Sequence, residues 1–282
     1  MYSINNFSKN GIAFPLKLRN QFSDQELSDS YINFQKECAK KLGHSVSLKP
    51  NILSTFFDKL AFDENILNEV RKLIGDDIYI WSSAFFPKLP NEGKMVSFHQ
   101  DKPYWQLSSS NVVSAWIALT KSKKKSGALC VIPESHKLGL IGKIDVTNAR
   151  NSYLKGEKTT EKNDLLSYKQ DLSKYLKKNK PICIELNPGE YSIHHVNLVH
   201  GSGVNNSDEP RIGFVVRYIS SETKHIIEKD RDGAIHVSGK KNNYFSDEER
   251  PSESFSEKSI LSYERAMKTT GAFGNKKYVS ER

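Results

Sequence analysis

The sequence predicts a mainly β fold, a sheet sandwich or barrel, with helices packed against one face. Two amphipathic segments near the start of the chain have the hydrophobic spacing of helices. At least seven short segments after residue 77 are rich in β-branched and aromatic residues, and turn sequences separate them. The chain has 282 residues, of which 37% are hydrophobic and 10% aromatic, so it is long and apolar enough to bury a substantial core.

The two helices are expected between about residues 20 and 75, where they buttress the sheets. Gln25–Leu42 has apolar residues at intervals of three and four, with Ser23 or Asp24 as the N-cap and a glycine directly after its end. Glu64–Ile74 shows the same spacing and is also followed by a glycine, which favours the end of a helix.

From residue 78 the hydrophobic period changes to two, which is typical of strands. The predicted strands are Ile78–Phe86, Met95–Asp101, Val112–Leu119, Ala128–Ile132, Ile182–Leu186, Glu190–His194 and Ile212–Ile219. No internal repeat or low-complexity linker divides the chain. We therefore expect a single domain over residues 1–282, with the barrel core at about 76–220.

Two segments depart from this strand pattern. Residues 135–180 are polar and lysine-rich, with helical stretches near Leu165–Leu176, and an insertion of this length is typical of a segment that covers a substrate site. After Ser220 the chain is highly charged, and Glu257–Lys268 has the pattern of a helix. We expect a lid over about 135–180 and a charged C-terminal extension over 221–282, whose role the sequence does not specify.

Charge and composition exclude several classes of protein. Lys and Arg number 42 against 33 Asp and Glu, a net charge of +9, but the lysines are dispersed and no nucleic-acid recognition motif accompanies them. No apolar run approaches the roughly 20 residues of a membrane helix, and the first residues lack the pattern of a secretory signal. We therefore expect a soluble, cytoplasmic protein that binds neither nucleic acid nor membrane. The sequence does not specify the oligomeric state.

The cysteines give no sign of a structural framework. Cys38, Cys130 and Cys183 lie far apart, and none belongs to a CxxC pair. This spacing predicts neither a disulfide scaffold nor a structural zinc site. We expect each cysteine to be a small buried apolar side chain.

A metal site is predicted around His99 and Asp101. Alternate side chains of a strand share a face, so these two residues project together while Gln100 points away. They supply two ligands of the set of two histidines and one carboxylate that binds iron(II) in non-haem oxygenases. The pair alone is also typical of a surface hydrogen bond, so a third ligand is required.

His200 is the candidate third ligand, and Arg211 follows it eleven residues later at the start of an apolar strand. Burying a guanidinium in a barrel is costly unless an anion meets it, and a carboxylate fits its planar fork in bidentate fashion. Three ligands followed by this arginine form a far more specific pattern than the first pair alone.

The chain resembles the phytanoyl-CoA dioxygenase family of Fe(II)/2-oxoglutarate oxygenases from about Phe14 to Ile219. The segments that carry the resemblance are FHQDKPYW (Phe98–Trp105), SAWIAL (Ser114–Leu119), GALCVIPESH (Gly127–His136) and HGSGVNNSDEPR (His200–Arg211). The resemblance implies a double-stranded β-helix, the cupin-like jelly-roll barrel of that superfamily.

The resemblance also implies roles for individual residues. The matched iron ligands are His99, Asp101 and His200. The matched positions for 2-oxoglutarate are Arg211, which would hold the distal carboxylate, with Ser202, Lys88 and Trp116 around it. Trp116 is equally consistent with ordinary core packing, and only the resemblance gives it a functional role.

Arg211–Ile219 (RIGFVVRYI) is similar to the carrier-protein-dependent halogenases of this broad family. Those enzymes have Ala or Gly in place of the carboxylate ligand, which leaves a position for chloride. Here Asp101 occupies that position. The resemblance therefore implies hydroxylation, or another oxidation, rather than halogenation.

Four further side chains are candidate substrate contacts, namely Tyr104, Trp105, His195 and Arg217. The two aromatic residues are either core or a pocket wall, where a ring face can hold an ammonium group. We expect His195 to form a hydrogen bond near the site, and His194 to complete a strand face or a turn. Arg217 follows Arg211 by six residues, an even number, so on one strand the two side chains share a face. Arg217 therefore either faces the pocket or forms a salt bridge at the barrel rim.

The sequence thus predicts an Fe(II)/2-oxoglutarate-dependent dioxygenase that hydroxylates an unactivated C–H bond of a small-molecule metabolite. O2 is consumed, and 2-oxoglutarate is converted to succinate and CO2. One alternative is the same chemistry on an acyl or aminoacyl group tethered to a carrier protein or to CoA. Another is a non-catalytic jelly-roll binding protein, although the complete ligand set argues against it. The sequence specifies neither the substrate nor the position of oxidation.

Overall fold

The computed structural model describes residues 2–105, 107–142, 163–166, 170–226 and 232–269. Its strands are β1 Ile12–Lys17, β2 Ile78–Lys88, β3 Val96–His99, β4 Val112–Ala118, β5 Leu129–Val131, β6 Ile182–Cys183, β7 Glu190–His195, β8 His200–Ser202, β9 Arg211–Ser220, β10 Gly233–Ser238 and β11 Ser246–Asp247. Its α-helices are α1 Phe7–Asn10, α2 Asp24–Leu42, α3 Pro50–Leu53, α4 Thr55–Ala61, α5 Glu64–Ile74, α6 Lys102–Trp105, α7 Ser173–Lys178 and α8 Glu257–Thr269.

The strands form two sheets. The major sheet has the order β1-β7-β4-β9-β2-β10-β11, and the minor sheet has the order β3-β8-β5-β6. Neighbouring strands are antiparallel except β10 and β11, and strands that are neighbours in a sheet are mostly distant in sequence. This arrangement confirms the predicted jelly-roll barrel, the double-stranded β-helix.

The predicted N-terminal helices are confirmed, and their ends follow from local chemistry. Ser23 and Glu26 form a capping box at the start of α2, and Gly43 ends the helix with a positive φ of 76° that suits glycine. At the start of α5, the Asp63 carboxylate accepts hydrogen bonds from the backbone of Asn65 and Ile66. None of the helices in the described ranges has the length and apolar character needed to cross a bilayer.

Side chains alternate between two environments along the central strands of the major sheet. Phe214 of β9 faces the helices and packs at 5.2 Å, between ring centroids, against Phe57 of α4 within the main hydrophobic core. The next residue on the strand, Val215, faces a cavity on the other side, as does Arg217. Both faces of β9 are therefore buried, which explains its nearly continuous apolar sequence.

The major sheet reaches beyond residues 76–220, the limits expected for the barrel core. On one side β1 pairs with β7, and on the other β10 pairs with β2. An unpaired strand edge leaves backbone N–H and C=O groups without partners, and these two strands satisfy them. Residues from the N-terminal segment and from the charged C-terminal extension therefore complete the sheet.

Part of the expected lid, residues 143–162 and 167–169, lies outside the described residues. In the described part, the helical stretch expected near Leu165–Leu176 is present only as α7, which begins at Ser173. Leu165 instead lies beside the start of β3, where its backbone N–H donates to the carbonyl of Met95 at 2.9 Å. Asp164 forms a bridge with Met95, and this pairing replaces the helix expected at Leu165.

The prediction of three separate apolar cysteines is wrong for two of them. Cys130 of β5 and Cys183 of β6 lie directly opposite each other and form a disulfide, whereas Cys38 is a buried free thiol. The two bonded residues are 53 positions apart because the whole insertion separates their strands. Their spacing in the sequence therefore carries no signal of the pairing.

Candidate active site

A cavity of about 180 Å³ lies between the two sheets. Its major-sheet wall includes Trp116 of β4 and Val215 of β9, and its minor-sheet wall includes Leu129 of β5 and His200 of β8. Leu165, from the insertion, also lines it. The cavity is thus bounded by the barrel and by the insertion together.

The three predicted metal ligands converge in this cavity. His99 at the end of β3 pairs directly with His200 at the start of β8, and Asp101 follows two residues after His99. The Nε2 atoms of His99 and His200 lie 3.4 Å and 3.8 Å from Asp101 Oδ1, and the three ligand atoms lie within 4.8 Å of one another. One cation can therefore contact all three, as expected for the set of two histidines and one carboxylate.

Backbone carbonyls orient both imidazole rings. His99 Nδ1 lies 2.9 Å from the carbonyl oxygen of Ser97, and His200 Nδ1 lies 2.9 Å from that of Leu198. A carbonyl only accepts, so each Nδ1 carries the proton and each Nε2 lone pair is directed at the shared point. This donor set fits iron(II).

The electrostatics hold the ligands in the protonation states that metal binding requires. Burial would raise the pKa of Asp101, but the nearby His200 and His99 outweigh it, and the pKa lies well below its usual range. Burial, and then the neighbouring His99, lower the pKa of His200 to about 4. Near neutral pH the site therefore presents a carboxylate and a neutral imidazole, the forms that bind metals.

Two buried cations lie together at one end of the cavity. Arg211, 2% exposed, donates from Nη1 to the carbonyl of Phe86 at 3.0 Å and from Nη2 to that of Gly127 at 2.8 Å. Lys88 Nζ donates to Ser202 Oγ at 2.6 Å, and burial followed by Arg211 lowers the pKa of Lys88 to about 7. Within the described residues Arg211 Nε has no hydrogen-bond partner. The pair and this free N–H suit a carboxylate ligand.

Trp116 lies beside the cation pair, with the Arg211 guanidinium 5.4 Å from its ring centroid. The ring can approach β9 because Gly213 has no side chain, and a Cβ there would lie 2.1 Å from the indole. The structure thus brings together the four residues predicted for 2-oxoglutarate, namely Arg211, Ser202, Lys88 and Trp116.

Three of the four predicted substrate contacts line the cavity and the fourth does not. Tyr104, Trp105 and Arg217 line the cavity, and the Arg217 guanidinium lies 5.0 Å from the Trp105 ring centroid. His195 does not line it, since its Nδ1 accepts from the backbone N–H of Asn197 at 3.0 Å on the other side of β7. The expectation that His195 reaches the site is therefore not met in this structure.

His194 takes the place that sequence reasoning assigned to its neighbour. It is 3% exposed, its Nε2 lies 3.9 Å from Asp101 Oδ2, and its ring centroid lies 4.9 Å from that of His200. His194 does lie on a face of a strand, β7, and that face is the one that lines the cavity. Alternation along β7 indicates that the two histidines face opposite sides of the strand, but the pairing of β7 in the sheet decides which side faces the cavity.

The comparison with family models decides which family this is. Residues 24–213 match the family model described as Phytanoyl-CoA dioxygenase (PhyH), which is well over half of the chain. The chain belongs to the phytanoyl-CoA dioxygenase family. Together with the ligand set and the cation pair, this makes iron(II) and 2-oxoglutarate the metal and cosubstrate of the site.

Curated relatives in the phytanoyl-CoA dioxygenase family include two bacterial enzymes. An ectoine dioxygenase of Streptomyces avermitilis is 26% identical over 60% of this chain and 58% of its own length. A probable alpha-ketoglutarate-dependent hypophosphite dioxygenase of Stutzerimonas stutzeri is 27% identical over 65% of this chain and 61% of its own length. The chain therefore spans less than two thirds of these relatives.

Solved structures agree on the fold. The apo form of the non-haem monooxygenase ThoJ has a TM-score of 0.75 and 21% identity, over 94% of this chain and 95% of its own. EctD from S. alaskensis in its apo form has a TM-score of 0.60 and 19% identity, over 79% of this chain and 77% of its own. At this identity the likeness shows the jelly-roll fold alone.

Proposed function

We propose that this protein is an Fe(II)/2-oxoglutarate-dependent dioxygenase that hydroxylates an unactivated C–H bond of a small-molecule metabolite. Succinate and CO2 are the products of the cosubstrate. The convergence of His99, Asp101 and His200 on one buried point, beside the cations Lys88 and Arg211, carries the proposal. A binding protein without turnover has no need of this complete set.

Bound iron(II) supplies the activation of O2 and the decarboxylation of 2-oxoglutarate. The protein supplies the geometry. A metal held by His99, Asp101 and His200 would keep coordination positions for the cosubstrate and for O2. Arg211 binds the distal carboxylate, and Lys88, whose Nζ donates a hydrogen bond to Ser202 Oγ, adds positive charge beside it, so that the keto acid is oriented toward the ligands.

Two observations favour hydroxylation of a small substrate. Asp101 retains the carboxylate ligand, so a halide has no open position on the protein's side of the metal. Two relatives are named for the small molecules ectoine and hypophosphite. These points support a free metabolite over a bulky tethered group.

Anaerobic titration with Fe(II) and 2-oxoglutarate, followed by exposure to O2, tests the proposal. Wild type is expected to form a charge-transfer absorption band and then release succinate. Asp101→Ala is expected to abolish succinate release, since one ligand of three is lost. Arg211→Ala is expected to raise the required 2-oxoglutarate concentration about tenfold or more, because a charge-assisted hydrogen bond is removed.

Ser122→Ala is the matched control, because the Ser122 hydroxyl is buried, has no hydrogen-bond partner in the described part of the chain and does not line the cavity. It should behave as wild type. Succinate release from Asp101→Ala at the wild-type rate would contradict the assignment of the carboxylate. An unchanged 2-oxoglutarate requirement in Arg211→Ala would show that another group anchors the cosubstrate.

A further inference from the structure

A row of polar side chains crosses the major sheet on the cavity side, next to the metal ligands. His194 of β7 pairs with Ser114 of β4, and Ser114 pairs with Arg217 of β9. All three line the cavity, and they are 3%, 1% and 5% exposed. We call these three residues the polar row.

Two atoms of the polar row point to a ligand. Ser114 Oγ and His194 Nδ1 are buried and have no hydrogen-bond partner within the described residues. Buried polar groups are nearly always hydrogen-bonded, because an unmade bond costs the full desolvation of the group. Both residues border a cavity, so a polar group bound in that cavity would satisfy them.

The charges of the cavity indicate the sign of that group. Among its described lining residues, Asp101 is the one acid, against the cations Lys88, Arg211 and Arg217. Asp101 belongs to the metal site, and although its carboxylate also interacts electrostatically with Arg217, a bound metal cation would offset that negative charge. The Arg217 guanidinium lies 5.0 Å from the centroid of the Trp105 ring and 6.0 Å from that of the Phe86 ring, so it is held in an apolar setting where an oxyanion binds strongly.

The cosubstrate does not account for both arginines. Arg211 and Arg217 are six residues apart on β9, which corresponds to about 20 Å between their Cα atoms at a strand rise of about 3.3 Å. The five-carbon chain of 2-oxoglutarate spans only about 5 Å, from C–C bonds of about 1.5 Å. With its distal carboxylate at Arg211, the cosubstrate cannot place that same carboxylate at Arg217, which leaves the Arg217 guanidinium for an oxyanion of another molecule.

We propose that the substrate carries a carboxylate or comparable oxyanion that binds at the polar row. Arg217 is the principal contact, and the Ser114 hydroxyl and a His194 ring nitrogen are further contacts. The apolar remainder of the substrate lies toward Trp105 and Leu165, which line the same cavity. This inference rests on the proposed function and specifies the substrate class of that site.

Matched pairs of small probes test the inference on the full chain loaded with Fe(II) and 2-oxoglutarate without O2. The pairs are hexanoate and hexanamide, benzoate and benzamide, and cyclohexanecarboxylate and cyclohexanecarboxamide. Binding is read from the shift of the charge-transfer band and from the midpoint of thermal unfolding. At least one carboxylate is expected to bind wild type about tenfold or more tightly than its amide.

Arg217→Gln is expected to weaken that carboxylate about 10- to 100-fold, and Arg217→Lys less, because the charge remains but the fork is lost. Ser114→Ala is expected to weaken it about threefold to tenfold, from one lost hydrogen bond. Ser122→Ala, the buried serine away from the cavity, should leave it unchanged. The affinity for 2-oxoglutarate should stay within about twofold in all four variants.

Three results would overturn the inference. If the carboxylates bind wild type no better than their amides, the site does not select an oxyanion. Arg217→Gln weakening 2-oxoglutarate as much as the probe would assign Arg217 to the cosubstrate. Absence of the charge-transfer band in wild type before any probe is added would instead remove the proposed function, and the inference with it, so the two failures are distinguishable.

Discussion

Lys88 is the residue through which pH acts most directly on the cosubstrate end of the cavity. Its side chain is 1% exposed, and burial and then Arg211 lower its pKa from 10.5 to about 7. Below about pH 7 the residue is an ammonium that attracts a carboxylate, and above it the residue is a neutral amine. In the ammonium form Nζ donates hydrogen bonds to Ser202 Oγ and to the carbonyls of Ser202 and Gly203, and the neutral amine can keep two of these three.

The first prediction follows from this lowered pKa. As pH rises from about 6 to about 8.5, the 2-oxoglutarate concentration for half-saturation should rise several-fold, because the Lys88 proton is lost. In Lys88→Met the concentration should be high throughout and nearly independent of pH. Anaerobic titration of the charge-transfer band measures it. The same pH slope in Lys88→Met as in wild type would contradict the role of Lys88.

Whereas 2-oxoglutarate binding should weaken as pH rises, the stability of the ligand-free protein should increase. Between about pH 7 and 10.5 the unfolded chain keeps the Lys88 proton that the folded protein has released. The free energy of unfolding should therefore rise with pH across this window, as far as Lys88 determines it. Lys88→Met should remove that rise in urea denaturation at low and high pH, and Ser122→Ala should retain it.

Among the elements, the loop that carries the metal ligands is joined to the insertion by two glutamines. The backbone N–H of Gln100 donates to Gln170 Oε1 at 2.8 Å, and Gln170 Nε2 donates to Gln100 Oε1 at 2.9 Å. Gln100 Nε2 also donates to the carbonyls of Gly139 and Asn197, at 2.8 Å and 2.7 Å. Gln100 lies between two ligands, so both described ends of the insertion are connected to the metal site.

The second prediction concerns this connection. Gln170→Ala should lower the free energy of unfolding by about 1–3 kcal/mol, because buried polar groups of Gln100 lose their hydrogen-bond partner. Hydrogen exchange at residues 139–141 should become faster, and Fe(II) should bind more weakly. Gln35→Ala is the matched control, since Gln35 also hydrogen-bonds backbone atoms, those of Val46, far from the insertion. Equal effects of the two variants on Fe(II) binding would contradict the connection.

The Cys130–Cys183 disulfide closes the insertion at its base. It joins the strand before the insertion to the strand after it, across 53 residues. By the chain-entropy model a loop of this length corresponds to about 4 kcal/mol of stabilisation. Reduction should loosen β6, which has two residues and one neighbouring strand in the sheet.

The third prediction is that the double variant Cys130→Ala/Cys183→Ala loses up to about 4 kcal/mol of unfolding free energy in urea. Wild type measured in reductant should match the double variant measured without it. Cys38→Ala replaces the free buried cysteine and keeps the disulfide, so reductant should lower its stability by as much as it lowers that of wild type, apart from its own packing loss. Identical wild-type stability with and without reductant would show that the two thiols are not bonded in solution.

At the scale of the whole molecule, the N-terminal helices and the C-terminal extension share one core. Lys49, 2% exposed, forms a buried ion pair with Glu248 and donates to the carbonyl of Gly233 at 3.0 Å. Arg250 contacts Asp58 of α4 at 2.7 Å, and α8 contributes to the main hydrophobic core. We propose that the described parts of the chain unfold as one unit.

The fourth prediction tests that unit. Glu248→Ala should cost about 3–5 kcal/mol, because Lys49 is left buried and unpaired, whereas Lys49→Met/Glu248→Leu should recover most of the loss. Fluorescence and circular dichroism should report one common urea transition. Asp247→Ala, in the exposed pair with Lys241, should change stability by less than about 1 kcal/mol. Two separate urea transitions would show that parts of the chain unfold independently.

The sequence by itself determined the features that depend on nearby residues or on the chemistry of residue types. The helix predicted at Glu64–Ile74 has those bounds in the structure, because its apolar spacing and the glycine directly after it are local signals. His99, Asp101, His200 and Arg211 were found because few other arrangements of these residue types suit a metal and a keto acid. The predicted strands were located by their period of two for the same local reason.

Only the tertiary structure decided which distant residues meet. The disulfide, the glutamine pair and the edge strands β1 and β10 each join segments that are far apart in the chain. His194 rather than His195 faces the metal ligands because the register of β7 against β4 sets which side of the strand is inside. A one-residue change of register reverses every side chain of a strand, so the composition of the cavity follows from how the sheets pair and not from local pattern alone.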